Sequence, residues 1–337
     1  MNKVKSDGII LSICVPTYNQ PNNIERLLQN LSKQSTPEIE ILILDDSIND
    51  ETGIIVKKYI SKIPGRLRYF KGKKAEIGGY DAALIFLIES ASGKYVWWLG
   101  DDVLENGAIN KVLETIKKFT DISLIWINSC DINDRKVLGL DFGGDRFFKN
   151  ANEVFETDVG LLFFSSIIKR DEAIPVIEES KRFIGTAVAG FYLVLNVLSG
   201  KGKFYFIQKP LMLCTAKPSG EARWYDSFQV HGFNYFLVAK EFEDKFNKKS
   251  FKKGIAKQFG QICRAVLVER ALGFTTGFGS ETPKVKKMFK YYWSFKEFWL
   301  ALPFFLIPRF ILKYLYEFFK FARLKKRILL KNYLLMS

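Results

Sequence analysis

Short apolar runs rich in β-branched residues alternate with segments of helical periodicity along the first 130 residues. The apolar runs that predict strands lie at 9–15, where Pro16 is expected to end the strand, and at 38–44, 67–70, 95–99 and 122–128. The segments whose apolar residues recur at helical spacing lie at 22–31, 51–60, 81–90 and 105–119. This alternation is typical of a parallel sheet with right-handed helical crossovers, so the chain is predicted to be α/β.

The pattern is less regular in the second half. Apolar or periodic segments predict further elements at 159–169, 187–198, 203–208, 233–246 and 255–272. The stretch 214–226 contains Pro218, Ser219 and Gly220 and predicts a loop. We expect a catalytic domain at 1–225, divided into a donor half at about 8–130 and an acceptor half at about 131–225, then a helical continuation at 226–282 and a helical tail at 283–337.

The tail from residue 283 is both aromatic and basic. Residues 281–337 contain thirteen Lys and Arg against three Glu, a net +10 out of the formal +15 of the whole chain. The longest uncharged stretch, 298–308, has eleven residues, far fewer than the roughly 20 that span a bilayer. We therefore expect an amphipathic helical hairpin on an anionic membrane surface. The alternative is a helical subdomain that packs its aromatic residues on the catalytic core.

The cysteines show no metal-binding or disulfide pattern. Four are scattered along the chain, at Cys14, Cys130, Cys214 and Cys263, without a CxxC pair. This favours a reduced, cytosolic compartment. The polar residues 1–8 lead directly into a strand, so we expect no signal peptide, and we place the protein on the inner face of the cell membrane.

Two adjacent carboxylates follow a buried strand in the segment 93–104. The apolar run 95–99 ends in Gly100, Asp101 and Asp102. Two carboxylates held together are costly unless a positive charge lies beside them. Ligands of open α/β sheets collect at the carboxyl ends of strands. The segment therefore predicts a divalent cation with phosphate groups bound to it.

Four segments in this order, at 12–19, 40–47, 77–81 and 93–104, resemble the inverting GT-A glycosyltransferases of family 2. The resemblance is to the bacterial surface-polysaccharide branch, which includes abequosyltransferase-like proteins, and covers about 8–130. It implies a GT-A fold, that is, a Rossmann-like mixed sheet flanked by helices, here with a basic aromatic helical C-terminal extension. It also implies transfer of a sugar from a UDP- or dTDP-type donor to a glycan or lipid-linked acceptor, as in O-antigen or capsule synthesis.

The resemblance assigns donor-binding roles to residues in the first three segments. The residues expected at the nucleotide-sugar are Pro16, Thr17, Tyr18, Asn19, Asp45, Asp46, Gly79, Asp81 and Asp101. Asp46 is favoured over Asp45 as acceptor for an N–H of a uracil-type base, the alternative being an N-cap for the following helix. Asp81 is expected at the ribose or near the metal, the alternative being a structural turn. Ala83 stands where the family usually has Asn.

Asp101 and Asp102 correspond to the metal motif of the family. The resemblance implies Mg²⁺ or Mn²⁺, held mainly by Asp102, which neutralises charge on the leaving nucleoside diphosphate. Leu99 occupies the place of the first Asp of the usual DxD pattern. The alternative is a pair of solvated loop carboxylates.

The general base of an inverting transfer is not evident from the sequence. The family often places a carboxylate about 90 residues after the metal motif, where this chain reads Ala-Val-Ala-Gly-Phe-Tyr at 187–192. The remaining candidates are Asp141, Asp145, Asp158, Glu221 and Asp226. His231 is interpreted as a metal ligand or, preferably, as a packing residue. The segment 221–226 is either an acceptor lid, with Trp224 on the sugar and Arg223 on the diphosphate, or a surface loop.

Two other functions remain open at this stage. A nucleotidyltransferase would carry a basic Gly-rich loop after the first strand, but 16–21 contains neither Lys nor Arg. A non-catalytic nucleotide-sugar or membrane-binding protein is favoured by Ala83, Leu99 and the missing base. Nucleic acid is not an expected partner, because the cations of the tail lie among residues suited to lipid. The oligomeric state is not predicted.

Overall fold

The computed structural model describes residues 8–63, 66–72, 79–157, 166–214, 228–272, 285–318 and 320. The chain forms two compact units. The first comprises Met1–Ala216 and Leu237–Gly254, and the second comprises Lys217–Phe236 and Ile255–Ser337. The domain boundaries expected at 225 and 282 lie outside the described residues, so that division stays a prediction.

A mixed nine-stranded sheet forms the core of the first unit. Its strands are β1 Leu11–Thr17, β2 Ile39–Asp45, β3 Leu67–Lys71, β4 Tyr95–Trp98, β5 Val103–Leu104, β6 Ile122–Asp131, β7 Arg146–Phe148, β8 Ser166–Lys169 and β9 Lys203–Cys214. The order is β3-β2-β1-β4-β8-β6-β9-β5, and β7 pairs with β9. Strands β3, β2, β1 and β4 are parallel, whereas β8 runs antiparallel to both of its neighbours. This confirms the predicted mixed α/β sheet.

Helices flank this sheet, and α1, α2, α3, α4 and α8 lie where the sequence pattern predicts helices. The helices wholly within the first unit are α1 Pro21–Ser32, α2 Glu51–Ile60, α3 Tyr80–Ser90, α4 Ala108–Lys118, α5 Ala151–Glu156, α6 Arg170–Ala173, α7 Ile177–Ser180 and α8 Ala189–Leu198. On α1 the four apolar residues at helical spacing are all buried: Ile24, Leu27, Leu28 and Leu31. Burial of one such side chain contributes about 1.5–3 kcal/mol, which explains why α1 packs on the sheet.

Strand β1 differs from the prediction at Pro16. The prediction that Pro16 ends the strand is wrong, because β1 continues to Thr17. The register with β4 extends only as far as Cys14, opposite Trp98. The backbone N–H and C=O groups of alternate residues in a strand face the same neighbouring strand. The backbone of Pro16 therefore faces the β4 side, as that of Cys14 does, but lies beyond the last residue that pairs with β4. The missing N–H of proline therefore leaves no ladder hydrogen bond unmade.

Helices and a π-helical turn make up the described part of the second unit. They include Phe228–Asn234, part of α9 Tyr235–Lys240 and of α10 Lys248–Leu272, then α11 Val285–Tyr292, α12 Lys296–Leu306 and α13 Arg309–Phe318. The buried ring of Tyr292 stacks on Phe259 at a centroid distance of 4.0 Å, and Phe298 and Phe305 are also buried. Some aromatic residues of the tail thus form a local core with α10 of the same unit.

Within the part of the chain that is described, each single helix is too short or too polar to cross a bilayer. Only α12 and α13 taken together pass that test by length and composition, and they are bent by 112° where they meet.

Candidate functional site

The carboxyl ends of β1, β2 and β4 lie at one edge of the sheet. The backbone N–H of Asp46 donates to the carbonyl of Thr17 at 3.0 Å, which joins the ends of β1 and β2. The N–H of Asn19 donates to Oγ of Ser47 at 2.7 Å, which joins the loops that follow them. The structure therefore brings the first two predicted segments together, and the register of β1 with β4 places Asp101 and Asp102 at the same edge.

Asp45 is held entirely by the protein. It is fully buried, its Oδ1 accepts from the N–H of Ser47, and its Oδ2 accepts from the hydroxyl of Tyr69 at 2.9 Å and from Nζ of Lys71 at 3.2 Å. Burial, and then the bond to Asp45, raise the pKa of Tyr69, so its hydroxyl remains a donor. Asp45 thus links the ends of β2 and β3 at this edge of the sheet. Asp46, with 5 % exposure, is the better placed of the two for a ligand.

The loop after β1 presents a ring to the surface. Thr17 is buried, whereas Tyr18 is 40 % exposed. Asn19 has a φ of 52°, in the left-handed region that Asn adopts more readily than most residues. This turn places the partly exposed Tyr18 ring at the edge of the sheet, where an aromatic ring can stack on a planar ligand such as a nucleobase.

Asp101 and Asp102 are half-buried beside polar neighbours. Nδ2 of Asn23, in the first turn of α1, donates to Oδ2 of Asp101 at 2.6 Å. The Cys214 thiol, at the end of β9, donates to the Asp102 carboxylate. Burial, followed by the charge of Asp102 and this bond, raises the pKa of Cys214 to about 12, so the thiol stays neutral. The neighbour of Asp102 on β9 is therefore an uncharged thiol.

Asp101 and Asp102 suit a hard cation that is also coordinated by substrate phosphates and water. Among the described residues there is no group of three or more His, Cys, Asp or Glu that could hold a metal, and His231 belongs to none. Leu99 is fully buried and supplies no donor atom. Mg²⁺ is typically bound by one or two carboxylates together with substrate phosphates and water. The donor set of Asp101 and Asp102 fits that mode of binding.

Asp81 lies in a different setting from the one expected. It is 1 % exposed, and its two oxygens accept from the N–H groups of Ala187 at 2.7 Å and Ala189 at 3.1 Å. The N–H groups of Gly185 and Thr186 add to this set, and they oppose the effect of burial, which raises the pKa of Asp81. Asp81 therefore caps the start of α8. A contact with a ribose would require these bonds to break.

The segment 187–192, which carries no carboxylate of its own, thus contacts one from α3. The backbone of Ala187 has a φ of 60°, and Gly185 has a φ of 85°, so the segment wraps around the side chain of Asp81. The carboxylate at this place in the fold comes from α3. Gly79, just before α3, has a φ of 77°, a conformation that glycine adopts without strain.

The two candidates for the general base that the structure describes, Asp141 and Asp145, make hydrogen bonds and an ion pair within the fold. Asp141 is exposed and accepts from the N–H of Gly143, which closes a turn. Asp145 pairs with Nζ of Lys111 at 2.9 Å and accepts from the N–H of Gln208 at 2.8 Å. Burial raises the pKa of Asp145, but these bonds outweigh burial and the net pKa is lowered. A carboxylate with a low pKa is a weak base. Asp158, Glu221 and Asp226, together with the 221–226 segment, lie outside the described residues.

Sequence reasoning missed three partners of the predicted site. Asn23 holds Asp101, and Tyr69 and Lys71 hold Asp45. Lys71 ends β3, so a search of all parallel strand ends would have found it. Nothing in the local sequence marks Asn23, because its partner lies 78 residues away.

A mixed sheet with carboxylates at the ends of β2 and β4 is the arrangement expected of the GT-A fold. Residues 12–171 match the model of Glycosyl transferase family 2. Residues 12–171 therefore form a family 2 glycosyltransferase domain, as the motifs predict, and the activity is that of a transferase.

Named relatives agree with this assignment. Abequosyltransferase RfbV of Salmonella typhimurium is 23 % identical over 74 % of this chain and 81 % of its own length. GalNAc(5)-diNAcBac-PP-undecaprenol beta-1,3-glucosyltransferase of Campylobacter jejuni is 27 % identical over 59 % of this chain and 62 % of its own length. The crystal structure of S. aureus TarS 1-349 in complex with UDP-GlcNAc superposes with a TM-score of 0.60 at 19 % identity, over 88 % of this chain and 80 % of that one. The TarS structure shows that the fold is shared.

Proposed function

We propose that this enzyme transfers a sugar from a UDP-type donor, or its dTDP counterpart, to a glycan or lipid-linked acceptor during synthesis of a bacterial surface polysaccharide. The observation that carries the proposal is the grouping of Tyr18, Asp46 and the Asp101–Asp102 pair at one edge of the sheet. The similarity to RfbV supports the surface-polysaccharide role, and the undecaprenol-linked substrate in the name of the Campylobacter relative supports a lipid-linked acceptor. The TarS complexes with UDP-GlcNAc and UDP support the donor class.

Each group at the edge has a defined task in this proposal. The Asp46 carboxylate accepts an N–H of the base, and the Tyr18 ring stacks on it. Asp101 and Asp102 hold Mg²⁺ or Mn²⁺ at the diphosphate, with Asn23 keeping Asp101 in place. The cation, when bound, neutralises charge on the departing diphosphate.

The reaction inverts the anomeric carbon. The acceptor oxygen forms its bond to that carbon from the face opposite the diphosphate, while the bond to the diphosphate oxygen breaks. The hydroxyl proton of the acceptor passes to a carboxylate base. Because Asp141 and Asp145 are engaged within the fold, Asp158, Glu221 and Asp226 are the candidates that we favour for this base.

The donor site is tested by thermal unfolding of the full chain with UDP, dTDP, GDP and ADP, each with and without Mn²⁺. At a concentration of 100 Kd, a ligand stabilises the folded state by about 2.7 kcal/mol. We expect a rise of about 4–6 °C in Tm with UDP or dTDP that depends on Mn²⁺. We expect Asp46→Ala to remove this rise, and Asp50→Ala, a change at an exposed carboxylate, to retain it. Equal shifts with all four nucleotides, or none, would contradict the proposed donor site.

We further propose that the enzyme works on the inner face of the cell membrane, with α12 and α13 at the lipid surface. These helices carry exposed apolar residues on the described part of the tail: Trp299, Leu300, Phe304, Leu306, Phe310, Ile311, Tyr314 and Phe318. Exposed cations lie among them, at Lys296, Lys313 and Lys320. Aromatic and cationic residues combined in this way are typical of helices at a membrane interface.

Vesicle flotation tests this location. Each Lys near an anionic leaflet adds about 1 kcal/mol, so the double variant K313A/K320A is expected to partition about 30-fold less onto phosphatidylglycerol vesicles. The control is K33A/K57A, which removes two exposed lysines of the first unit. If both double variants float as the unmodified chain does, the tail does not bind the membrane through its charge.

A further inference from the structure

The second unit contains an apolar cavity that the donor chemistry does not use. It has a volume of about 430 Å³ and lies between α10, α12 and α13. Its walls include side chains from all three helices: Leu267, Ala271, Leu300, Phe304, Leu312 and Leu315. The volume falls within the range of about 300–1,000 Å³ that is usual for ligand sites.

Apolar side chains dominate the walls of this cavity, and few polar groups lie among them. Burial raises the pKa of the Cys263 thiol to about 12, so it acts as a small apolar group. Nη1 of Arg270 donates to the carbonyls of Phe304 and Phe305, at 3.2 and 2.9 Å, and so covers backbone oxygens near the end of α12. The charged lining residues are Arg264 and Glu297. Such walls favour a hydrocarbon over a polar metabolite.

The cavity is continuous with the exposed apolar face of the same helices. Leu300 lines the cavity and is also 68 % exposed. Trp299 and Phe304, its neighbours on α12, are 51 % and 42 % exposed. A hydrocarbon chain in contact with this face therefore reaches the cavity along an apolar surface, without crossing water.

We propose that this cavity binds the polyisoprenyl chain of a lipid-linked acceptor. The inference rests on the proposed function, which supplies the lipid-linked acceptor, and it adds a binding site for the lipid part of that substrate. Holding the chain raises the effective concentration of the attached glycan at the enzyme, because the second binding event becomes intramolecular.

Photo-crosslinking of the full chain locates the hydrocarbon. The probe is a polyprenyl phosphate with a diazirine in its chain, presented in phosphatidylglycerol vesicles. We expect labelled peptides from 260–271 and from 300–304, and we expect unlabelled polyprenyl phosphate to compete at least 10-fold better than added phosphatidylglycerol. Equal competition by the phospholipid, or labelling confined to exposed residues such as Phe310, would overturn the proposal.

A variant that fills the cavity separates this site from the donor site. Ala301 lines the cavity, whereas Leu306 on the same helix is exposed and does not. We expect A301F to lower the crosslinking yield and to raise KM for a polyprenyl-linked acceptor at least 10-fold, while UDP binding and KM for the donor stay unchanged. The control L306F is expected to alter neither. If A301F unfolds, L315F fills the cavity from α13.

The two proposals fail in different ways. A chain that binds UDP and transfers sugar equally well to polyprenyl-linked and short-chain acceptors would overturn the lipid site alone. A chain that binds no nucleotide would overturn the proposed function, whatever the crosslinking shows.

Discussion

Replacing Asp102 with alanine is expected to lower the rate of sugar transfer by about 10²–10³-fold, the usual cost of removing one group that stabilises charge in a transition state. Asp102 follows β4 at the edge where β1 and β2 also end, and it is half-buried. The neutral Cys214 thiol beside it does not balance its charge. Its loss removes a carboxylate that the proposed cation requires, while the apolar strand before it is unchanged.

A transfer assay with labelled donor measures this effect, and unfolding in urea checks that the fold persists. Asp121→Ala is the matched control, because Asp121 is an exposed carboxylate of the same unit whose ion pair with Lys203 is solvated. Full activity of Asp102→Ala would contradict its assignment as a metal ligand.

Asn23→Ala should give an intermediate loss of the transfer rate in the same assay, since it removes the hydrogen bond that orients Asp101.

Asp81→Ala is expected to destabilise the first unit by about 3–5 kcal/mol, because several buried backbone donors lose their acceptor at once. The carboxylate accepts from Ala187 and Ala189, at 2.7 and 3.1 Å, and is 1 % exposed. Water does not reach this site to replace it. Asp81→Asn keeps one acceptor oxygen, so its expected cost is smaller, about 1–3 kcal/mol.

Urea unfolding followed by tryptophan fluorescence reports this loss. Asp50→Ala serves as control, because the Asp50 side chain is 86 % exposed and its ion pair with Lys71 is a surface contact. That variant should change the free energy of unfolding by less than about 1 kcal/mol. If Asp81→Ala proves as stable as Asp50→Ala, the hydrogen bonds to the start of α8 do not hold the fold.

The strands and helices of the donor half were predictable from local pattern. The apolar residues of α1, from Ile24 to Leu31, recur at helical spacing, and burial of that face confirms the prediction. The run before Gly100 forms β4, all of which is buried. Parallel strands joined by helices end at one edge of the sheet, so the grouping of Asp46 with Asp101 also followed from the order of elements.

Interactions between distant residues were not predictable in this way. From the local sequence, Pro16 is expected to end the strand. Strand β1 nevertheless continues to Thr17, because Pro16 lies beyond Cys14, the last residue of β1 that pairs with β4. The resemblance favours Asp46 over Asp45, but the contacts of Asp45 with Tyr69 and Lys71 are visible only in the tertiary structure.

The sequence by itself determined the class of enzyme, the order of strands and helices in the donor half up to β4, and which carboxylates lie at the ends of strands, because these depend on local periodicity and on motifs. The tertiary structure alone decided what each carboxylate contacts. Asp81 resembles a ligand-binding residue in its motif, but it accepts hydrogen bonds from the start of α8, 106 and 108 residues further along the chain. The reason is physical: a buried carboxylate must find donors, and the donors within reach are set by packing rather than by sequence neighbours.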